Sequence, residues 1–175
     1  MIRQFLEKVG LAQPAPVAQR VITPSSCEVY FSPRGGCLEA VAREISRAQK
    51  GIFVQGYGFT SRPIANSLVE AKNRGVHVEL ILDKSNLKDN LGVDDYVHSQ
   101  GLAVWIDSAH PIAHNKVMIL DGQTVITGSY NWTMAAEMVN AENLLIVRSA
   151  ELCSKYAANW QAHRLHSRPY ATGIQ

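Results

Sequence analysis

Residues 114–131 read HNKVMILDGQTVITGSYN. Two runs rich in apolar and β-branched residues flank the dipeptide Asp121-Gly122. Because both residues tolerate the positive φ angles of a two-residue hairpin turn, this segment predicts two antiparallel strands joined at Asp121 and Gly122. Leu120 then faces Gln123 across the turn.

This register places several polar side chains on one surface of the hairpin, because residues two apart on a strand share a face. Lys116 lies opposite Thr127, and His114 lies opposite Ser129. The polar face is therefore predicted to hold His114, Lys116, Thr127, Ser129 and Asn131. A shift of one residue would place Tyr130 there in place of Ser129.

The side chains on this face are suited to handling a phosphate ester. A neutral imidazole such as that of His114 can attack phosphorus and form a covalent phosphohistidine. Lys116 supplies a fixed positive charge for the phosphoryl oxygens, and Ser129 and Asn131 can donate hydrogen bonds to them. The attacking ring needs its other nitrogen held by an acceptor. Glu142, at the start of the next predicted strand, is the candidate for that role.

Strand-like and helix-like segments alternate along the rest of the chain. Strands are predicted at residues 29–31, 52–57, 76–82, 102–106, 113–120, 124–127 and 143–147. Helices are predicted at residues 38–48, 64–71, 94–100, 133–139 and 152–160. The pattern indicates an α/β fold, a mixed β-sheet flanked by helices on both faces.

The chain of 175 residues has the length of one domain. Residues 1–26, with three prolines between Ala12 and Ser26, are predicted to be an N-terminal segment and linker. Residues 27–170 form the predicted domain, and residues 171–175 a tail.

Charge and hydropathy restrict the partners and the location. No apolar run approaches the ~20 residues that span a bilayer, so no stable membrane insertion is expected. The charged start is a poor secretory signal, which favours the cytoplasm, or the periplasm or exterior if a signal peptide has been removed. A net charge of +2 means that nucleic acid would have to meet a local basic patch. Arg148, Lys155, Arg164 and Arg168 against Glu151 form one candidate, with a solvated helix face as the alternative.

The three cysteines have no metal-ligand spacing, so neither a zinc site nor a disulfide framework is expected of them. Cys27 and Cys37 could bridge, but free thiols are the default expectation for such a pattern.

The polar residues of the hairpin also follow a known spacing. The pattern His-x-Lys-x4-Asp-x6-Gly-Ser-x-Asn is formed here by His114, Lys116, Asp121, Gly128, Ser129 and Asn131. It resembles the motif of the phospholipase D superfamily. From about Val29 to Arg168 the chain is similar to the small bacterial Nuc-type endonucleases of that superfamily. The resemblance implies a phospholipase D-like fold, a histidine nucleophile, a second histidine as general acid, Glu142 as the residue that holds the histidine, and no metal or other cofactor.

The motif occurs once in this chain. Pockets of the superfamily combine two copies, so the resemblance implies a homodimer in which each chain contributes one His114. One ring would attack phosphorus, while the other would protonate the leaving oxygen and later activate water.

The remaining candidates are supporting residues. Asp121, Gly122 and Gly128 are predicted to be structural, because turn chemistry already explains the Asp-Gly pair; a catalytic role is the alternative for Asp121. The possible substrate contacts are Tyr57, Phe59, His110, Thr127 and Trp132. Packing in the core is the alternative for the three aromatic residues, and an exposed loop position is the alternative for His110.

These features predict a metal-independent phosphodiesterase that hydrolyses DNA, or RNA, with low sequence specificity at a site shared between two chains. The same chemistry would also serve a hydrolase of phospholipids such as cardiolipin, because a fold alone does not choose the substrate. The third hypothesis is a non-catalytic module that binds nucleic acid.

Overall fold

The computed structural model describes residues 22–88 and 93–171, so most of the predicted N-terminal segment and of the tail lies outside the described residues. The strands are β1 (Ser26–Ser32), β2 (Gly51–Gly56), β3 (His77–Asp83), β4 (Ala103–Asp107), β5 (Lys116–Leu120), β6 (Thr124–Gly128), β7 (Glu142–Arg148) and β8 (Arg168–Pro169). The α-helices are α1 (Cys37–Arg47), α2 (Arg62–Asn73), α3 (Asp94–Ser99), α4 (Met134–Met138) and α5 (Ala150–His166). A 3₁₀ turn, Lys84–Lys88, follows β3.

The strands form one mixed sheet in the order β1-β7-β6-β5-β2-β3-β4-β8. The central strands β2, β3 and β4 pair in parallel. All other neighbouring strands pair antiparallel. The predicted α/β class and mixed sheet are confirmed. The short edge strand β8 and the 3₁₀ turn have too few residues to produce a periodic pattern and were not predicted.

Helices cover both faces of this sheet. On one face α1 and α2 pack over alternate strand residues such as Met118 and Leu120. On the other face α5 packs through Cys153 and Trp160 over Val117 and Ile119. Strand β5 is therefore buried on both sides, which explains its continuous apolar sequence.

The hairpin between β5 and β6 differs from the prediction in register. Asp121 and Gly122 have φ angles of 54° and 67°, as a tight turn requires. However, the strand pairing begins at Leu120 with Thr124, so Gln123 is an extra residue and the predicted register is wrong by one. The amide of Gln123 donates to the carbonyl of Leu120 at 3.0 Å, and the carbonyl of Gln123 accepts a hydrogen bond of 2.9 Å from the amide of Ser149.

A β-bulge at the C-terminal end of β6 changes the side of the sheet to which the following side chains point. Gly128 has φ 152°, and a Cβ there would lie 2.2 Å from the carbonyl oxygen of Asn143. That carbonyl accepts the amides of both Ser129 and Tyr130 at 3.1 and 3.3 Å. Tyr130 is consequently buried, and Ser129 is exposed.

Asp121 connects this hairpin to the start of β2. Its Oδ2 accepts the amide of Gln49 at 2.9 Å, and its Oδ1 accepts the amides of Lys50 and Gly51 at 2.8 and 3.0 Å. Burial raises the pKa of Asp121, but the three amides outweigh burial and hold the pKa below its ordinary value. The carboxylate therefore fixes the turn against the chain that enters the central strand.

We expect Asp121→Asn to lower the free energy of unfolding by about 1–3 kcal/mol at pH 7, because the amide cannot reproduce three hydrogen bonds to a charged acceptor. The pKa of Asp121 is depressed on folding, so this stabilisation is present above the unfolded pKa of about 3.9 and is lost as the pH falls through the folded pKa. Urea unfolding from pH 7 down to pH 3 measures both effects.

Glu70→Gln is the matched control, because it removes an exposed carboxylate from α2. A loss of stability for Asp121→Asn that is no larger than that of Glu70→Gln at pH 7 would contradict the proposed anchoring.

Candidate active site

The candidate site lies where the carboxyl end of β2 meets the beginning of β5. Gly56, the last residue of β2, pairs with Lys116, the first residue of β5. The strand predicted from residue 113 starts only at Lys116, so His114 lies in the segment that leads into β5. Tyr57, directly after β2, therefore lies beside His114.

The His114 ring is exposed and packs against the Tyr57 ring, with 4.5 Å between centroids. The buried carboxylate of Asp83 accepts the amide of Ala113 at 2.7 Å, which fixes the backbone before His114. Buried Asn86 donates to the carbonyl of Tyr57 at 2.7 Å. Sequence reasoning missed Asp83 and Asn86 because a lone polar residue at or just after the end of a strand has no distinctive spacing.

Lys116 places a nearly buried ammonium group beside His114. Its side chain is 5% exposed, and Nζ donates to the carbonyl of His114 at 2.9 Å. Nζ also lies 5.0 Å from the centroid of the Tyr57 ring. Burial lowers the pKa of Lys116, and the negative charge of Glu142 opposes that shift. A poorly hydrated cation of this kind interacts strongly with an anionic ligand.

Ser129 and Glu142 form the neighbouring polar pair. The Ser129 hydroxyl donates to Glu142 Oε2 at 2.5 Å, and Asn140 Nδ2 donates to Glu142 Oε1 at 3.1 Å. The Ser129 oxygen also accepts the amide of Asn143 at 3.1 Å. Among the described residues no hydrogen bond joins Glu142 to His114, so the orienting role of Glu142 stays a prediction.

Asn131 carries an unsatisfied polar atom. Within the described chain its Oδ1 is buried and has no hydrogen-bond partner. A Cβ built on Gly58 would lie 3.7 Å from this oxygen, so the backbone after β2 approaches Asn131 closely. Burying a polar atom without a partner costs about 1–3 kcal/mol, so Asn131 Oδ1 is an acceptor available to a bound ligand or water.

Three of the possible substrate contacts lie away from this surface. Phe59 and Trp132 are fully buried and pair as an isolated parallel bridge, and the Trp132 indole donates to the carbonyl of Gln55 at 2.9 Å. Both rings belong to the hydrophobic core, which was the alternative to substrate contact for these two residues. The register differs by one residue from the prediction, so Thr127 pairs with Val117. Thr127 therefore lies on the face of the sheet that carries Val117, opposite to the face that carries Lys116.

His110, another possible substrate contact, is exposed in the loop after β4, the position given as its alternative. Its Nδ1 lies 3.0 Å from Asp107 Oδ2, and its ring packs against those of His163 and His166. This arrangement depends on contacts between residues more than fifty positions apart, which no local pattern reveals. Tyr57 is thus the one possible substrate contact that the structure places against His114.

The candidate basic patch is partly neutralised. Arg148 forms ion pairs with Glu28 at 2.6 Å and with Glu44 at 3.0 Å. Arg164 lies 3.4 Å from Glu79 and stacks on Trp105. These two cations therefore stabilise the fold and add little to an external field.

The described segments contain no helix that is long and apolar enough to cross a bilayer. All three cysteines are free thiols, as expected; Cys37 and Cys153 are buried, and Cys27 is exposed.

The amino-acid sequence matches a known protein family and several known proteins. The profile of the family described as "Cardiolipin synthase, PLD-like domain" matches residues 41–164. A phospholipase D of Rickettsia felis is 41% identical over 160 residues, which cover 89% of this chain and 80% of that protein. The mitochondrial cardiolipin hydrolase of Xenopus tropicalis is 27% identical over 151 residues, which cover 85% of this chain and 72% of that protein.

Two solved structures have the same fold as this chain. Nuc from Salmonella typhimurium, a phospholipase D family member, superposes with a TM-score of 0.80 at 34% identity, covering 84% of this chain and 99% of Nuc. NucT from Helicobacter pylori superposes with a TM-score of 0.75 at 23% identity, covering 83% of this chain and 99% of NucT. The chain belongs to the phospholipase D superfamily.

Proposed function

We propose that this chain is a homodimeric phosphodiesterase that hydrolyses DNA, with RNA as a further substrate, at low sequence specificity and without a metal ion. The observation that carries the proposal is the contact between the exposed His114 ring, the Tyr57 ring and the buried Lys116 ammonium. The similarity to Nuc over 99% of that solved chain supports nucleic acid as the substrate.

The first chemical step is an in-line displacement at phosphorus. A nitrogen of neutral His114 forms a bond to phosphorus while the bond to the leaving oxygen breaks. The Lys116 ammonium stabilises the negative charge that builds on the phosphoryl oxygens. The side-chain amide of Asn131 is a further donor for these oxygens, whereas the Ser129 hydroxyl donates to Glu142 and would have to turn away from that carboxylate to reach them.

The second histidine comes from a second copy of the chain. His114 of the partner subunit donates its proton to the leaving oxygen, which neutralises the departing alkoxide. It then takes a proton from water, and the water oxygen attacks phosphorus as the bond to the nucleophilic nitrogen breaks. The products are two nucleic-acid ends, one that carries the phosphate and one that carries a hydroxyl group. Both imidazoles return to their starting protonation states.

The surface around the site supports association of two copies. Exposed apolar side chains flank the site in sequence, with Ile112 before His114, and Met134, Met138 and Val139 after Asn131. Val139 is 73% exposed and Ile112 is 59% exposed, so both side chains have apolar surface that a contact between two copies would remove from water. A two-fold contact through this surface would bury these side chains and bring two His114 rings to one pocket.

Cleavage of plasmid, single-stranded DNA and RNA in excess EDTA tests the nuclease proposal. We expect His114→Ala to lose about a thousandfold or more in rate, because it removes both the nucleophile and the general acid. His77→Ala is the matched control, since His77 is exposed and pairs with Glu79 outside the site. Circular dichroism in the same buffer reports whether each protein is folded. Absence of cleavage by folded wild-type protein, or equal cleavage by His114→Ala, would refute the proposal.

Mixed dimers test the shared pocket. If each dimer needs both His114 rings, co-refolding wild type with an equal amount of His114→Ala leaves about one quarter of the activity, because only wild-type pairs are complete. Independent chains would retain about one half. Mixing with Glu70→Gln in place of His114→Ala should leave activity unchanged. A linear decline with the fraction of wild-type chain would exclude the shared pocket.

A phospholipid substrate is the second candidate, favoured by the names of the relatives, a phospholipase D at 41% identity and a cardiolipin hydrolase at 27% identity. Liposomes containing cardiolipin or phosphatidylcholine, assayed for phosphatidic acid beside the DNA reaction, separate the two. We expect DNA to be cleaved faster per enzyme molecule. Faster release of phosphatidic acid, abolished by His114→Ala, would reverse the assignment.

A further inference from the structure

Four metal-ligating side chains meet on the α5 side of the sheet, at the end of β4. Asp107 ends β4, His110 lies in the loop that follows, and His163 and His166 lie in the last turn of α5. One ligand atom from each of these residues lies within 4.8 Å of all the others. We name these four residues the histidine–aspartate cluster. None of them belongs to the site at His114.

The fold brings the cluster together from two short sequence pairs. Asp107 and His110 are three residues apart in a turn, and His163 and His166 are three apart on a helix, where such residues share a face. Directly after α5, β8 pairs with β4, with Arg168 opposite Ile106. This pairing fixes the end of α5 beside Asp107 without any ligand.

All three imidazoles converge on one oxygen atom. Asp107 Oδ2 lies 2.8 Å from His163 Nδ1, 3.0 Å from His110 Nδ1 and 3.2 Å from His166 Nε2. A carboxylate offers about four lone-pair sites on two oxygens, so one oxygen has about two for three donors. If all three nitrogens carried protons, this oxygen would face more donors than it can accept.

The other oxygen of Asp107 is already occupied. Asp107 Oδ1 accepts the amides of Ala109 and His110 at 3.0 and 3.4 Å, and His110 Nδ1 lies 3.3 Å from it. These bonds orient the carboxylate and leave Oδ2 directed at the imidazoles, in the way that outer hydrogen bonds orient metal ligands.

The dimensions and exposure suit a small metal ion. Tetrahedral zinc with bonds of about 2.0–2.1 Å has ligand atoms about 3.3 Å apart. The three oxygen–nitrogen distances in the cluster are 2.8–3.2 Å and its widest ligand separation is within 4.8 Å, so small side-chain rotations would complete the coordination sphere. The side chain of Asp107 is fully buried, that of His163 is 16% exposed, and those of His166 and His110 are 36% and 45% exposed. A buried carboxylate thus forms the base, and the two more exposed imidazoles leave an entry path from solvent.

We propose that the histidine–aspartate cluster binds one Zn²⁺ ion per chain. Imidazole nitrogens suit zinc and neighbouring transition metals, and a carboxylate oxygen completes a three-nitrogen, one-oxygen set. Four protein ligands close the coordination sphere, as in structural zinc sites. The ion therefore stabilises the protein and takes no part in the displacement at His114.

The bound ion would connect α5 to the segment that carries the nucleophile. The loop from Asp107 leads through His110 to His114, and Lys84 Nζ donates to the carbonyl of His110 at 3.0 Å. Zinc at the cluster would hold one end of this segment, while the hydrogen bond from Ala113 to Asp83 holds the other. Metal binding thus rigidifies the approach to the active site.

Zinc titration of untagged, EDTA-stripped and desalted full-length protein tests the proposal. Calorimetry with ZnCl₂ at pH 7.5 should show one ion per chain with a dissociation constant of about 1 µM or tighter. At a hundredfold excess over this constant, Tm should rise by about 5–10 °C. His163→Gln and His166→Gln should each weaken binding about a hundredfold or more, because glutamine can still donate to Asp107 but is a poor zinc ligand.

Two matched variants separate this cluster from other histidines. His77→Gln removes an exposed histidine that contacts a carboxylate elsewhere, and His114→Gln removes the nucleophile. Both should bind zinc as wild type does. Binding weaker than about 100 µM by folded wild type, equal binding by His163→Gln and His166→Gln, or loss of binding in His114→Gln would overturn the proposal. The titration contains no nucleic acid or lipid, so its outcome is independent of the proposed function.

Discussion

The antiparallel pairing of β2 with β5 is the contact on which the candidate site depends. It joins the parallel strands to the antiparallel half of the sheet, and it sets Gly56 opposite Lys116. Tyr57 therefore leaves β2 beside the segment that carries His114. Gly56 is confined, because a Cβ there would lie 2.9 Å from Cδ1 of Trp132. The strands that position Tyr57 and His114 are thus central strands of the sheet, covered on both faces, so the two residues are held by rigid neighbouring elements.

Local patterns were sufficient to predict most of the fold. Helical spacing predicted α2 and the face of α5 that packs through Trp160, and the Asp-Gly pair predicted a turn with two positive φ angles. The register was not predictable in the same way. Gln123 becomes an extra residue after the turn, and its carbonyl bonds to the amide of Ser149, a residue that no local pattern connects to this turn. A bulge at Gly128 then leaves Ser129 exposed, with its hydroxyl bonded to Glu142.

The candidate site was predictable in part because its chemistry is concentrated on one hairpin. His114 and Lys116 are two residues apart, and the structure places their side chains around the same aromatic ring. The histidine–aspartate cluster was not predictable, because its two halves are more than fifty residues apart and meet only through the pairing of β8 with β4. The same helix that covers the sheet thus also supplies half of a second group of polar side chains.

The proposed function requires that a chain with one copy of the motif supply half of a catalytic pocket and that a second copy of the chain supply the other half. A crystal structure of the assembled protein measures this directly through the distance between the two His114 rings. Because both rings must reach one phosphorus atom, their reactive nitrogens should lie within about 6 Å of each other across a two-fold axis. Two His114 rings on opposite sides of the assembly, or a fully active monomer, would contradict the shared pocket.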